Sequence, residues 1–181
     1  MSILDKAIAA VTPTEKPEER AQARAKAYEL ARTSPWLGRV LDQHREIESA
    51  FEAVAAATHA DSRRLAQKRL AVLLTGHSLA EEAVLYPAMA LGDQKAHATI
   101  ALTEHSGVKV NLSALETLDP MSQDYLDKLE HVKNAVTHHV YEEESNWYPE
   151  LARDTPPGDQ MRLDMRFTEE FERYMGADAA A

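Results

Sequence analysis

The chain contains no cysteine. That excludes a disulfide framework, a thiolate nucleophile and any sulfur-ligated metal, so a bound metal would have to be held by imidazole and carboxylate. Glycine and proline are scarce, 6 and 8 residues in 181, too few for many short strands joined by tight turns. No run approaches the roughly 20 apolar residues of a membrane span. Met1 to Thr12 also lacks the basic, apolar and small-residue order of a secretory signal. A cytoplasmic location without a membrane partner is therefore expected. Basic residues are outnumbered: 20 Lys and Arg against 30 Asp and Glu leave a formal charge of −10, which repels phosphate backbones. Nucleic acid is not an expected partner.

What is present is a composition of 44% hydrophobic and 28% charged residues, rich in Ala, Leu, Glu and Arg, which reads as one helical domain. Asp5 to Val11 reads as a short helical lead, and Pro17 with Glu18-Glu19 opens a segment running to about Arg32. Four longer segments follow. The first starts at Ser34-Pro35 and carries the stripe Leu37, Leu41, His44, Ile47, Phe51 and Val54. The second runs from a cap near Asp61 to Gly92 with Leu70, Leu74, His77, Glu81 and Val84 inward. The third, about Asp93 to Thr117, turns His97, Ala101, His105, Val108 and Leu112 inward. The fourth, capped by Asp119-Pro120, presents Tyr125, Leu129, Val132, Val136, His139, Glu143 and Trp147. Short loops between long helices predict an all-α, antiparallel up-down four-helix bundle over residues 35–153. Residues 1–34 would be an N-terminal helical extension. Residues 154–181 would be a fifth helix with Phe167, Phe171 and Tyr174 at helical spacing, then a frayed tail from Ala177.

An internal repeat carries the chemistry. His77, Glu81, Glu82 and Tyr86-Pro87 match His139, Glu143, Glu144 and Tyr148-Pro149 in register, and His44 precedes His105 by nearly the same interval. A helical hairpin has been used twice. Counting from the turns at about 1.5 Å per residue places all four histidines near one level. In His-x-x-x-Glu the two side chains lie one turn apart on one face. Four neutral imidazoles and two carboxylates would offset much of the charge of two divalent cations, whereas bare buried carboxylates would have to protonate or find cationic partners. No Lys or Arg occupies the inner stripe beside them.

The pattern His, His-x-x-x-Glu, His, His-x-x-x-Glu on successive helices resembles the hemerythrin-like HHE cation-binding domain family. The resemblance implies a non-heme di-iron centre with His44 and His77 serving one iron, His105 and His139 the other, and Glu81 and Glu143 bridging. It implies dioxygen, peroxide or nitric oxide as ligand, and a sensor, scavenger or redox enzyme as function. The alternative is an iron-responsive regulatory module that binds another protein without turnover. Oxygen-carrying hemerythrins place a further histidine four residues from the third-helix ligand, where this chain has Ala101 and Lys109; that departure argues against reversible oxygen carriage. Ferritin-like di-iron sites use Glu-x-x-His instead.

Other polar residues read more plainly. His138, Glu142 and Glu144 flank the inner face as outer partners or solvent-facing groups. Glu104 is turned roughly 100° from His105, and Lys109 reads as solvated. His59 falls in a turn, and His97 and His131 lie about 12 Å along their helices from the ligands. Tyr86 and Tyr148 read as packing residues at helix ends. Gly76 and Gly107 mark either a path for a small ligand or close helix packing.

Overall fold

A computed structural model describes residues 15–179; the lead expected at Asp5 to Val11 lies outside them, as do residues 180 and 181. The elements are α1 (Pro17–Ala31), α2 (Pro35–Ala56), α3 (Ala60–Ala80), a π-helical turn π1 (Glu81–Leu85), α4 (Tyr86–Leu91), α5 (Lys95–Glu116), α6 (Gln123–Glu142), a second turn π2 (Glu143–Trp147), α7 (Tyr148–Asp154) and α8 (Pro157–Ala179). No strand occurs among the described residues. The segments α3–π1–α4 and α6–π2–α7 are each one continuous rod, so the bundle has four rods: α2, α3–α4, α5 and α6–α7.

Both π turns sit at the repeated Glu-Glu-x-x-x-Tyr-Pro. A proline lacks the N–H for the α-helical bond, and its ring clashes with the carbonyl four residues back. Widening the ladder by one residue accommodates it. The Tyr86 N–H accordingly reaches the Glu81 carbonyl, and the Tyr148 N–H reaches that of Glu143.

Helix starts differ from expectation in two places. The fourth helix is capped by Ser122, whose hydroxyl accepts from the Tyr125 N–H at 3.2 Å. Asp119-Pro120 instead forms the preceding turn, where Asp119 Oδ1 accepts from the Met121 N–H at 3.0 Å. Counted from Asp119, His139 stands six residues higher than His105; the start at Ser122, three residues later, halves that mismatch. The second helix is capped at His59, which is exposed, and places Asp61 in its first turn, where a carboxylate suits the helix dipole.

The core is split in two. One apolar cluster gathers Trp36, Leu37, Val40, Leu41, Leu85, Met89, Trp147 and Phe167; the other gathers Ile47, Phe51, Val54, Leu70, Leu74, Leu112, Tyr125, Leu129 and Val132. Along α2 the break falls at His44, between Leu41 and Ile47. A polar layer therefore crosses the middle of the bundle, where burial without partners is costly.

Two outer helices close the ends of this layer. α1 lies along α2, π2 and α7, while α8 lies along α2, α3 and π1. α8 is tied to α2 by Trp36 Nε1–H donating to Gln160 Oε1 at 2.7 Å and by Arg39 to Asp164 at 2.6 Å. Gly76 lets α8 approach: a Cβ there would stand 3.1 Å from Tyr174 and 3.2 Å from the Met175 sulfur. Close packing is thus what Gly76 serves, whereas Gly107 has open space around it. α8 continues past Met175 to Ala179.

Candidate metal centre

The six residues singled out from the sequence come together in the polar layer. His44, Glu81 and Glu143 are fully buried, and the most open of the six, His139, is 5% exposed. Within each rod the i, i+4 pair meets: His77 Nε2 is 3.2 Å from Glu81 Oε2, and His139 Nε2 is 3.2 Å from Glu143 Oε1. Each carboxylate also crosses to the other half. Glu81 Oε2 lies 3.4 Å from His105 Nε2, and Glu143 Oε2 lies 3.3 Å from His44 Nε2. One donor atom each from His44, His77, Glu81 and Glu143 falls within 4.8 Å of the others, and so do those of Glu81, His105 and His139.

Every imidazole is oriented by what its Nδ1 touches. His44 Nδ1 is 2.9 Å from Glu144 Oε1, His77 Nδ1 is 2.9 Å from Gln43 Oε1, His105 Nδ1 is 2.9 Å from Glu82 Oε1, and His139 Nδ1 is 2.8 Å from Glu104 Oε2. All four Nδ1 atoms are occupied by acceptors, which directs all four Nε2 atoms inward, as metal-ligating histidines are usually held. These partners also obey the repeat. Glu82 and Glu144 each follow a ligand glutamate, and Gln43 and Glu104 each precede a ligand histidine. The sequence carried this signal in its doubled Glu-Glu, whose second member is turned far enough to meet the histidine of another helix.

Behind Glu144 stands Arg24, with Nε 2.9 and 3.0 Å from its two oxygens and Nη1 and Nη2 on Glu48 at 2.9 and 2.7 Å. Behind Glu82 stands Lys109, Nζ at 2.6 Å. Among the described residues no Lys or Arg enters the layer itself, but two of the three carboxylates at its edge, Glu144 and Glu82, are paired with one. Lys109 is thus an ion-pair partner rather than a simply solvated side chain.

The two tyrosines correct the sequence reading. Neither is mere end packing: Tyr148 Oη lies 2.6 Å from Glu81 Oε1 and 2.7 Å from Glu143 Oε1. Tyr86 Oη donates to Glu143 Oε1 at 2.9 Å and lies 3.0 and 3.2 Å from the Nε2 atoms of His105 and His139. The π turn is the cause. It absorbs one residue, so Tyr86 stands to Glu81 roughly as an i+4 neighbour would, and a long side chain pointing toward the helix N-terminus reaches the layer.

Proton placement in the bare cluster follows from these contacts. Burial, then the charge of Glu143, pushes the Glu81 carboxyl up to about 8. Burial opposes ionisation of Glu143 as well, but His139 and His44 outweigh it and hold that carboxyl well below the usual range. His44 is pushed up to about 9 because Glu143 and Glu144 overcome the effect of burial. His139 is raised in the same way by Glu143 and Glu104, while burial lowers His77 and His105. Geometry agrees: His105 Nε2 and His139 Nε2 face each other at 3.0 Å, which requires one proton between them. Tyr148 touches two carboxylates with one hydroxyl proton, so a neutral Glu81 supplies the second. Burial, then Glu143 and Glu81, keeps both phenols protonated well above their ordinary range.

A cation fits this donor set. His44 Nε2, Glu81 Oε2 and Glu143 Oε2 are buried with no hydrogen-bond partner, and buried polar atoms are rarely left so. The chemistry is imidazole and carboxylate, suited to a first-row transition metal. Other histidines stay apart. His97 stacks on Trp147 at 5.6 Å, His138 pairs with Glu15 at 2.6 Å and His59 is exposed.

A four-rod helical bundle with buried histidines and carboxylates converging at mid-height defines a cation-binding helical domain. Residues 37–151 match the hemerythrin HHE cation-binding domain, and the chain belongs to that family. It is 24% identical over 147 residues, 80% of this chain and 71% of the relative, to an uncharacterized hemerythrin-like protein of Schizosaccharomyces pombe. No solved structure matches it significantly. No helix among the described residues is long and apolar enough to cross a membrane.

Proposed function

We propose that the protein is a non-heme di-iron protein that binds or reduces a small oxidant, namely dioxygen, peroxide or nitric oxide. His44, His77, Glu81 and Glu143 hold one ion. Glu81, His105 and His139, with Glu143 alongside, hold the other. The observation that supports this most is the trio of buried donor atoms that make no well-formed hydrogen bond, His44 Nε2, Glu81 Oε2 and Glu143 Oε2, while the Nδ1 of each of the four histidines in the layer is engaged. Iron supplies redox equivalents and coordination positions at which a small oxidant is taken up.

The chain's own groups do the rest. The two apolar clusters exclude bulk water from either side of the layer. Tyr86 and Tyr148 hold phenolic protons against Glu143 and Glu81 at the centre, positioned to donate a hydrogen bond or a proton to a bound oxidant. Where oxygen carriers place another histidine, Ala101 is fully buried in the core and Lys109 turns to Glu82. The His105/His139 half thus gains no further imidazole, which favours chemistry on the oxidant over its unchanged release.

The test is turnover by the iron-loaded protein. Consumption of peroxide or nitric oxide that falls when Glu81 or Glu143 is replaced supports the reading. Iron-dependent stability with no consumption would move the protein to the regulatory class. Repeated uptake and intact release of oxygen would make it a carrier.

A further inference from the structure

The two halves have matching ligands but unequal supports. At His44 the orienting carboxylate, Glu144, is 1% exposed and gripped on both oxygens by Arg24 Nε, while the other edge of the guanidinium clamps Glu48. Arg24 comes from α1, outside the residues that match the family. At His105 the equivalent carboxylate, Glu82, is 23% exposed and meets only the ammonium of Lys109, itself 40% exposed and on the same helix as His105. A planar, forked guanidinium fixes a carboxylate in orientation, whereas a half-exposed ammonium is a mobile point charge screened by water. Outer partners of ligating histidines set ring orientation and metal retention.

We propose that Arg24 is a positioning residue of the metal centre. Through it the N-terminal helix makes the His44/His77 half retain its cation longer than the His105/His139 half, so that one ion exchanges while the other stays. The inference rests on the di-iron reading above. Arg24 touches no ligand; it acts through Glu144 on the orientation of His44. Loss of α1 contact would therefore loosen one half selectively, while the other half answers to Lys109 and solvent.

The test follows release of ferrous ion from the full-length protein, loaded anaerobically with two equivalents and challenged with an excess of a colorimetric ferrous chelator. The wild type should release iron in two phases of similar amplitude, and His77→Ala should remove the slow one. Arg24→Gln should accelerate the slow phase about tenfold and leave the fast phase within about twofold, with Arg24→Lys restoring part of the retention. Should Arg24→Gln fail to fold, Glu48→Gln removes one partner of the guanidinium at a half-exposed position and should accelerate the slow phase to a smaller degree. A single phase in the wild type, equal acceleration of both phases, or an unchanged slow phase in Arg24→Gln or, if that fails, Glu48→Gln, overturns the role of Arg24. If the wild type holds two ions and the variants behave alike, only this role fails. If it holds none, the metal assignment fails with it.

Discussion

The His44/His77 half and the His105/His139 half were built from one repeated hairpin, yet they have not stayed alike. Their candidate ligands remain matched: ring centroids stand 4.9 Å apart in the first pair and 4.7 Å in the second. Their surroundings diverged. His77 is oriented by the neutral Gln43 and His139 by the charged Glu104, and Glu144 is sealed beneath α1 while Glu82 remains open to solvent. Within this chain the two halves match in the residues that face a candidate cation and differ in the residues that orient them.

The largest effect is expected from removing what both halves share. Glu81 approaches histidines of both, so Glu81→Ala should abolish two-ion loading altogether, with a loss exceeding the ~10–100-fold typical of outer partners. Metal content after gel filtration and the disappearance of the iron-dependent rise in melting temperature check it. Next in size are the outer carboxylates taken singly. Glu144→Gln should weaken retention at the first half by about 100-fold and Glu82→Gln at the second by about tenfold, read by competition with a calibrated chelator. Equal effects would remove the asymmetry.

A third prediction uses acidity. Glu81 at about 8 and His44 at about 9 both bind protons more tightly in the folded chain than in the unfolded one. The stability tied to these protons is complete below their ordinary values and is lost as pH rises through 8 and 9. The metal-free protein should thus lose on the order of 3–4 kcal/mol between pH 7 and 9, the larger share from His44. Metal displaces the same protons, so the gap in melting temperature between loaded and metal-free protein should widen over that window. A constant gap would place the protons elsewhere. The smallest effect expected is that of Tyr148→Phe, which removes the hydroxyl touching both carboxylates. It should cost the metal-free protein about 1–2 kcal/mol in urea unfolding and leave two-ion loading intact.

Much of this was legible beforehand, for identifiable reasons. Helical periodicity marks the segments, Ser34-Pro35 and Gly92 mark two of their boundaries, and the repeat with its four-residue His-Glu spacing places six side chains on facing stripes. The tyrosines were missed because counting at about 100° per residue assumes an unbroken α-helix, and the π turns before Pro87 and Pro149 change the phase by one residue. Arg24 was missed for a different reason. It lies 120 positions from Glu144, outside the repeat, and no local pattern links an arginine on one helix to a buried glutamate on another.

On the proposed function, the polar layer holds two cations between its halves. Anaerobic titration of the metal-free protein with ferrous ion, followed by removal of loose metal and elemental analysis, tests it most directly. Two iron ions per chain are expected. One ion or none retained at saturation would contradict it.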